Sequence, residues 1–295
     1  MHEPPTHVSD QDVLDTVRAT WLPDTDTVTH LSVGFGAHHW AASVAGERRL
    51  FVTLDSLGDR HSADSLTAAY RAAATLAAEG LEFVHASLTP FTVPFAEGLL
   101  SAAPWVDGHR PERLEREVTS TMLARLHATP PPEGMPRWQP LVGPDLADDL
   151  DGRLRTTWDG GPFSARAHTA LRAHLPAIDT WATRYHRLAA EAASRPGVPT
   201  HGEPDVHNQL LTERGTLLVD WESLRLAPAE RDLRVLDAGG PMAEMFDLEW
   251  RLDEVQQYAV WFQQPHTGGA DDLEAVEGLL EELERPDWRE PTRRQ

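Results

Sequence analysis

The chain has 295 residues, no cysteine and a formal net charge of −21, because 47 acidic residues outnumber 26 basic ones. This length is enough to bury the core of one larger domain or of two lobes. The absence of cysteine excludes disulfides, zinc–thiolate sites and thiol nucleophiles. A strongly negative protein repels nucleic acids and anionic lipids and attracts cationic ligands. Solubility and a coding sequence rich in G and C explain the same charge without any ligand.

The chain starts with Met1-His2-Glu3-Pro4-Pro5, which has neither the basic region nor the apolar run of a signal peptide. No stretch of the sequence approaches the roughly 20 apolar residues that a membrane span needs. We therefore expect a cytoplasmic protein whose partner is a small molecule rather than nucleic acid or membrane. A cationic small molecule is compatible with the charge, and the oligomeric state stays open.

The N-terminal third predicts a small sheet crossed by one helix. A capping-box signal at Ser9 predicts a first helix that ends near Thr20. Apolar and β-branched residues predict strands over 28–33, 40–44 and 49–54, and two further short strands over 81–84 and 96–102. The Ala-rich segment Ala63–Ala78 predicts a helix that Gly80 stops.

Beyond residue 108 the chain is predicted to be mostly helical. An apolar stripe predicts a helix over 111–127, two or three helices lie between 145 and 194, and an acidic amphipathic helix covers 271–284. Residues 209–212 and 216–219 flank Glu213-Arg214-Gly215 and predict a hairpin. We therefore expect an N-terminal β-rich lobe over 1–103, a hinge over 104–108 and a helical lobe over 109–295.

The segment His201-Gly202-Glu203-Pro204-Asp205-Val206-His207-Asn208 precedes this hairpin, and Val219-Asp220-Trp221-Glu222 follows it. A carboxylate, an asparagine and then a second carboxylate beyond a hairpin are typical of a phosphoryl-transfer site. In such a site the first carboxylate handles the acceptor hydroxyl, and the asparagine and second carboxylate hold Mg²⁺ against the nucleotide phosphates. Asn208 and Asp220 offer the hard oxygen donors that Mg²⁺ prefers.

Both motifs resemble those of the aminoglycoside phosphotransferase and choline kinase-like family, which reads His-Gly-Asp-x-x-x-x-Asn and then a hydrophobic residue, Asp, Trp or Phe, and Glu or Asp. Residues 226–233 and the Gly-Phe-Gly loop at 34–36 are similar to the spectinomycin- and hygromycin-type branch. The resemblance implies an α+β, bilobal protein-kinase-like fold with a small β-rich N-lobe and a larger helical C-lobe. It also implies Mg²⁺, ATP or GTP as co-substrate, and a nucleotide-binding role for the N-terminal lobe 1–103.

The resemblance places Glu203 at the catalytic aspartate position, with a side chain one methylene longer. Asp205, two residues on, is the alternative catalytic carboxylate, and a third possibility is that neither acts. His201 is expected to hydrogen-bond backbone behind the site, and Asp232 to brace the segment after Asp220. A metal-hydrolase site built on His201, His207 and Asp205 is the competing interpretation.

On the nucleotide side, Gly34 and Gly36 let backbone N–H groups approach the phosphates, and His38 and His39 add donors. A plain hairpin turn explains the same glycines. Thr53 occupies the nucleotide-binding position at which the family carries its phosphate-binding lysine, but every basic residue of this chain is arginine. The predicted helix Ala63–Ala78 also has no interior glutamate to pair with a lysine. Arg48 and Arg49 are the substitutes that the sequence suggests.

We therefore expect a small-molecule O-phosphotransferase that acts on an aminoglycoside, aminocyclitol or related metabolite. Its acceptor would enter between the motif loop and the acidic segment Asp145–Asp151. A kinase-fold binding protein with little or no turnover is the alternative, because the lysine is missing. Transfer of another group on the same scaffold is the third possibility, and a role in resistance or in biosynthesis stays open.

Overall fold

The structure is a computed structural model, and it describes residues 1–58 and 60–286. The helices are α1 (Asp10–Thr20), α2 (Ala63–Ala78), α3 (Arg116–Ala128), α4 (Leu146–Leu154), α5 (Ser164–Ala192), α6 (Glu230–Leu233), α7 (Pro241–Gln263) and α8 (Ala270–Glu284). The strands are β1 (Thr27–Leu31), β2 (His38–Val44), β3 (Glu47–Ser56), β4 (Val93–Phe95), β5 (Gly98–Pro104), β6 (Val198–Thr200), β7 (Gln209–Thr212), β8 (Gly215–Leu218) and β9 (Arg225–Ala227).

The chain divides into two compact units, each formed by two segments. The first contains Met1–Trp138 and Gly197–Leu236, and the second contains Gln139–Pro196 with the described residues from Asp237 onward. The candidate catalytic, nucleotide-binding and metal-ligating residues lie in the first unit, whereas the acidic segment Asp145–Asp151 lies in the second.

The sheet of the first unit has the order β1-β2-β3-β5-β4, with every neighbouring pair antiparallel. Alternate residues of β3 divide between its two faces, as the pleat of a strand requires. Leu50, Val52 and Leu54 pack with α1 in one apolar cluster. Thr53 and Asp55 therefore point to the opposite face, and there Asp55 meets α2.

A second apolar cluster of this unit packs α2 against α3 and against the motif region. Its fully buried members include Leu66, Leu123, Leu218 and Trp221. The hairpin of β7 and β8 pairs Gln209 with Leu218, and the short ladder of β6 and β9 lies beside α3. The ends of these short strands carry the two sequence motifs.

The second unit consists of α4, α5, α7 and α8, with α5 and α7 packed along each other. Two polar pairs lie within it. The Tyr185 hydroxyl donates to Glu249 over 2.5 Å, and Arg184 makes a bidentate ion pair with Glu244. None of the described helices is long and apolar enough to cross a membrane.

The α+β class predicted from the sequence is confirmed, as are the first three strands, the Ala63–Ala78 helix and the 209–218 hairpin. Residues 81–84 are not a strand, because they form a turn in which only Val84 bridges Leu218. The helix predicted over 111–127 begins at Arg116, and Ala96 belongs to the turn between β4 and β5. No element was predicted over α7, which has 23 residues.

Candidate active site

The motif loop is anchored at its start by one buried carboxylate. Asp232 of α6 accepts hydrogen bonds from the backbone N–H groups of His201 (3.0 Å) and Gly202 (2.7 Å), and its Oδ2 lies 2.9 Å from His127 Nε2. Burial would raise the pKa of Asp232, but the bonds to His127 and Gly202 outweigh it, and the pKa lies below its usual value. Asp232 thus braces the start of the motif loop, not the segment after Asp220 as predicted.

His201 connects the two motifs through both of its ring nitrogens. Its Nε2 lies 2.9 Å from the Val219 carbonyl oxygen, and its Nδ1 accepts the Glu203 N–H over 3.3 Å. The Nε2 atom must therefore carry the proton. Burial lowers the pKa of His201, so the ring is neutral. The predicted backbone hydrogen bond is confirmed, and neither nitrogen is left for the metal ion of a hydrolase.

The backbone at position 202 requires glycine. Its φ of +104° lies in the left-handed region, and a Cβ atom there would come within 2.5 Å of the Arg231 guanidinium. Arg231 is itself held by the Thr200 hydroxyl and the Ser223 carbonyl. The loop therefore turns tightly over a fixed arginine, and this turn sets the direction of Glu203.

Glu203 and Asp205 lie in different environments although only Pro204 separates them. Glu203 is half-buried, and burial together with the charge of Glu222 raises its pKa, against the lowering effect of Arg60. Asp205 is exposed, and its Oδ1 accepts the Val206 N–H over 2.7 Å as the cap of a single 3₁₀ turn. Of the two carboxylates, Glu203 has the environment suited to proton transfer.

Asn208 and Asp220 are brought together by the backbone. The Asn208 amide nitrogen donates to the Glu203 carbonyl over 3.0 Å, which leaves its side-chain oxygen for a ligand. The Val219 N–H donates to the Asn208 carbonyl over 3.0 Å, so Asp220 follows directly. Asp220 has a φ of +64°, a left-handed conformation that aspartate tolerates better than most residues.

Solvent reaches Asp220. Loss of hydration to the surrounding protein atoms, followed by the like charges of Glu222, Glu203 and Asp55, raises the pKa of Asp220 well above its usual value. A cation at this position would relieve the repulsion among the four carboxylates.

Asp55 of β3 was not predicted to belong to the site. Its Oδ2 accepts the Tyr70 hydroxyl of α2 over 2.8 Å, and among the described residues no donor reaches its Oδ1. Burial, followed by the charge of Glu222, raises its pKa well above the usual value. An aspartate–tyrosine hydrogen bond therefore links the strand to the helix. In the resembling family a lysine–glutamate ion pair makes this link. The sequence signal that could have identified Asp55 is its charge, because it directly follows the largely apolar run Leu50–Leu54.

Glu222 is held from the other side by His61 and Arg225. An Arg225 nitrogen lies 3.2 Å from His61 Nδ1, and because arginine only donates, the histidine proton lies on Nε2. That Nε2 is 3.6 Å from Glu222 Oε1. Burial opposes ionisation of Glu222, but His61, Arg60 and Arg225 outweigh it, and its pKa is lowered. Glu222 is therefore ionised while the proton of the pair resides on Asp55.

The glycine loop has the conformation that its sequence suggests, since φ is +71° at Gly34 and +93° at Gly36. The two histidines that follow lie on opposite faces of β2. His39 Nδ1 lies 3.1 Å from the Thr53 hydroxyl, whereas His38 lies beside the rings of His30 and Trp40. His39 thus shares the Thr53 face and His38 does not. Burial lowers the pKa of His39 to about 3.

Among the described residues there is no group of three or more His, Cys, Asp or Glu side chains arranged to hold a metal ion. Asn208 and Asp220 offer two oxygen donors. Mg²⁺ at nucleotide sites usually takes one or two carboxylates, keeps water and completes its shell with phosphate oxygens. The donor set therefore fits Mg²⁺ that arrives with a nucleotide.

A sequence profile described as the phosphotransferase enzyme family matches residues 27–283. Protein StrN of Streptomyces griseus is 29% identical over 199 residues, which are 60% of this chain and 61% of that protein. The crystal structure of spectinomycin phosphotransferase APH(9)-Ia with ADP and spectinomycin superposes with a TM-score of 0.69 at 14% identity, covering 95% of this chain and 96% of that one. Choline kinase LicA from Streptococcus pneumoniae gives 0.53 at 10% identity, covering 93% and 98%. These likenesses confirm the protein-kinase-like fold.

Proposed function

Because the chain belongs to the phosphotransferase enzyme family, we propose that it transfers the γ-phosphoryl group of ATP or GTP to a hydroxyl of an aminoglycoside, an aminocyclitol or a related metabolite. The observation that carries the proposal is the hydrogen-bonded unit of Glu203, Asn208 and Asp220. The Glu203 carbonyl accepts a hydrogen bond from the Asn208 side-chain amide. The Asn208 carbonyl accepts one from the N–H of Val219, the residue before Asp220.

In the proposed reaction Glu203 accepts the proton of the acceptor hydroxyl. The acceptor oxygen forms a bond to the γ-phosphorus, the bond from that phosphorus to the β–γ bridging oxygen breaks, and the nucleoside diphosphate leaves. A general base works best when its pKa approaches the working pH, and burial moves the pKa of Glu203 in that direction. The protein contributes mainly position and electrostatics to this kind of transfer.

Asn208 and Asp220 would hold Mg²⁺, which when bound neutralises charge on the nucleotide phosphates. His201 keeps the two ligands in register, because it bonds the Val219 carbonyl from one nitrogen and the motif loop from the other. Gly34 and Gly36 would let backbone N–H groups approach the phosphates from the sheet side.

The acceptor class rests on two supports. The structural relative named above binds spectinomycin, according to the description of its crystal structure. The net charge of −21 favours a cationic acceptor of that general kind. The proposal places the enzyme in the cytoplasm, where ATP and GTP are available.

A kinase-fold binding protein with little turnover is the second candidate, and a specific observation favours it. The chain has no lysine, and Tyr70 with Asp55 stands where an ion pair would link the strand to the helix. A binding protein, however, has no need for the ordered unit of Glu203, Asn208 and Asp220.

The two candidates are separated by assaying a panel of aminocyclitols and aminoglycosides with ATP or GTP and Mg²⁺, with mass spectrometry to detect the phosphorylated product. We expect the intact chain to form product. Glu203→Gln should lose about 10²- to 10⁴-fold in kcat, the usual contribution of a general base, while its nucleotide affinity stays unchanged. Glu203→Asp, which restores the family's residue, is the matched control and should retain activity.

The pH profile gives a second readout. With the intact chain, kcat should rise with pH as Glu203 loses its proton, with a midpoint above the ordinary pKa of glutamate. Glu203→Gln should lose this limb. Nucleotide binding without product from any acceptor would favour the binding protein, and full activity of Glu203→Gln would remove this residue from the mechanism.

A further inference from the structure

The face of the sheet that carries Thr53 is the face that meets the second motif. Thr53 shares this face with Asp55, and Asp55 lies directly opposite Leu99 of β5, which therefore points to the same side. Leu99 packs in one apolar cluster with Trp221, the residue after Asp220. A nucleotide whose Mg²⁺ is held by Asp220 would therefore lie against the Thr53 face.

The two arginines that the sequence suggests as substitutes for the lysine lie away from position 53. Arg49 is four residues earlier in β3, about 13 Å along the strand, and it pairs with Glu47 over 2.7 Å. The Arg48 guanidinium stacks over the Trp105 ring at 4.7 Å from its centroid. Neither arginine is therefore placed to take over the role of the lysine.

His39 lies directly beside Thr53. The two residues are paired between β2 and β3, and His39 Nδ1 is 3.1 Å from the Thr53 hydroxyl oxygen. Burial lowers the pKa of His39 to about 3, so the ring is neutral and carries a single proton. When the Thr53 hydroxyl donates to Nδ1, this proton lies on Nε2. The other tautomer would present a lone pair on Nε2, which phosphate oxygens repel.

The ring of His39 is fixed beside the glycine loop. It lies against the Phe51 ring, with the centroids 4.9 Å apart and the planes inclined by 33°. Its Nε2 is 3.2 Å from the point that a Cβ atom of Gly34 would occupy. No described residue hydrogen-bonds this nitrogen, and His39 is only half-buried. The ring therefore presents Nε2 at the loop where the phosphates are proposed to bind.

We propose that His39 donates a hydrogen bond from Nε2 to a phosphate oxygen of the nucleotide, and that the Thr53 hydroxyl holds the ring in the tautomer that this bond requires. This inference rests on the proposed function. The pair supplies a hydrogen-bond donor at the place where the resembling family has a lysine, but it supplies no positive charge.

Isothermal titration of the full chain with ATP and with adenosine, in the presence of Mg²⁺, tests the role of His39. His39→Phe removes a hydrogen bond to a charged group, so ATP binding should weaken about 10- to 100-fold. Adenosine has no phosphates, and its affinity should not change. His38→Phe is the matched control, because the ring of His38 lies on the other face of β2, beside His30 and Trp40.

Thr53→Val tests the positioning role of the hydroxyl. It should weaken ATP binding about 2- to 10-fold, the usual contribution of a neutral hydrogen bond, and Thr53→Ser should keep the affinity of the intact chain. Because Thr53 acts through His39, a chain with both Thr53→Val and His39→Phe should bind ATP as His39→Phe alone does. Losses that multiply would show that Thr53 binds the phosphates independently, which would overturn its positioning role.

Failure of this inference and failure of the proposed function give different results. An intact chain that binds neither ATP nor GTP would overturn both. An intact chain that binds a nucleotide but phosphorylates no acceptor would overturn only the proposed function, and the ATP affinity of His39→Phe would still decide the role of His39. Unchanged ATP affinity of His39→Phe would overturn that role. An equal loss of ATP and adenosine affinity would also overturn it, because His39 would then be a structural residue.

Discussion

Two buried aspartates of the first unit, Asp232 behind the motif loop and Asp55 on β3, have nearly the same exposure, 0% and 2%. Their pKa values nevertheless shift in opposite directions, down for Asp232 and up for Asp55. Asp232 accepts two backbone N–H groups and contacts His127. Asp55 accepts one hydroxyl and faces Glu222. Hydrogen-bond donors, and not burial alone, therefore decide the charge state of a buried carboxyl group.

The difference separates scaffold from site. Around Asp232 every acceptor is satisfied, and the group holds the motif loop in one conformation. Around Asp55, Asp220, Glu222 and Glu203 like charges accumulate without enough donors. Such an arrangement is unfavourable in the ligand-free protein, and it is typical of places where a ligand supplies the missing charge.

The largest expected effect is the loss of kcat in Asp220→Asn, which tests whether Asp220 belongs to the site or to the scaffold. The substitution removes a proposed Mg²⁺ ligand, and kcat should fall on the order of 10³-fold, the upper range for a lost preorganised electrostatic contact. The melting temperature of the ligand-free protein should not fall, because the change also removes a carboxyl group whose ionisation the neighbouring carboxylates oppose. Calorimetry with and without Mg²⁺·nucleotide tests both statements. The exposed Asp24→Asn is the control, and a large loss of ligand-free stability would show that Asp220 belongs to the scaffold.

The next effect comes from the scaffold side, where Gly202→Ala should destabilise the fold. A left-handed non-glycine residue costs about 1–3 kcal/mol, and here the added Cβ atom also meets Arg231. Gly215→Ala is the matched control, since its φ of +116° is similar and no heavy atom lies within 4 Å of its Cβ position. Urea unfolding should show the larger loss for Gly202→Ala. Equal losses would mean that the loop yields to the added methyl group.

The two motifs and the scaffold that holds them were largely predictable from the sequence, because their signals are local. The spacing of Glu203, Asn208 and Asp220 around a hairpin identifies the motif, and the hairpin register then follows from the turn at Gly215. The roles of His201 and Asp232 in bonding backbone were expected from the same resemblance. The prediction differed from the structure only in the segment that Asp232 holds, which is the start of the motif loop and not the segment after Asp220.

The site side was less predictable, because its contacts join distant parts of the chain. Asp55 and Tyr70 are 15 residues apart and meet only through the packing of α2 on the sheet. His61 lies beside Glu222 and contacts Arg225, which is 164 residues away in the sequence.

Helix α7 shows a similar limit at the level of secondary structure. Glu249, Arg251 and Asp253 are all buried in it. Polar residues therefore lie on its inner side, and the alternation of polar and apolar residues that marks an amphipathic helix is obscured. Residues 81–84 show the converse, since an apolar run there packs into the core as a turn.

The smallest effect is expected from Asp55→Asn, which directly tests the contrast between Asp55 and Asp232. Asp55→Asn keeps an oxygen that can accept the Tyr70 hydroxyl, but it removes a carboxyl group that must take up a proton to be buried beside Glu222. We expect this variant to stabilise the ligand-free protein at neutral pH by about 1 kcal/mol, a typical size for one substitution. Asp232→Asn, the matched control, should instead destabilise it, because an amide nitrogen would meet backbone N–H donors.

The pH dependence of the two variants should have opposite sign. The raised pKa of Asp55 favours its protonated form in the folded state. The intact chain therefore loses stability as pH rises from the unfolded pKa of about 4 through the folded one, and the advantage of Asp55→Asn grows with pH. The lowered pKa of Asp232 contributes stability above the unfolded pKa, which is lost as pH falls through the folded one. The deficit of Asp232→Asn should therefore shrink in acid. If thermal unfolding across this pH range showed parallel curves for both variants, the two aspartates would be electrostatically alike, and the distinction between scaffold and site would fail at its simplest point.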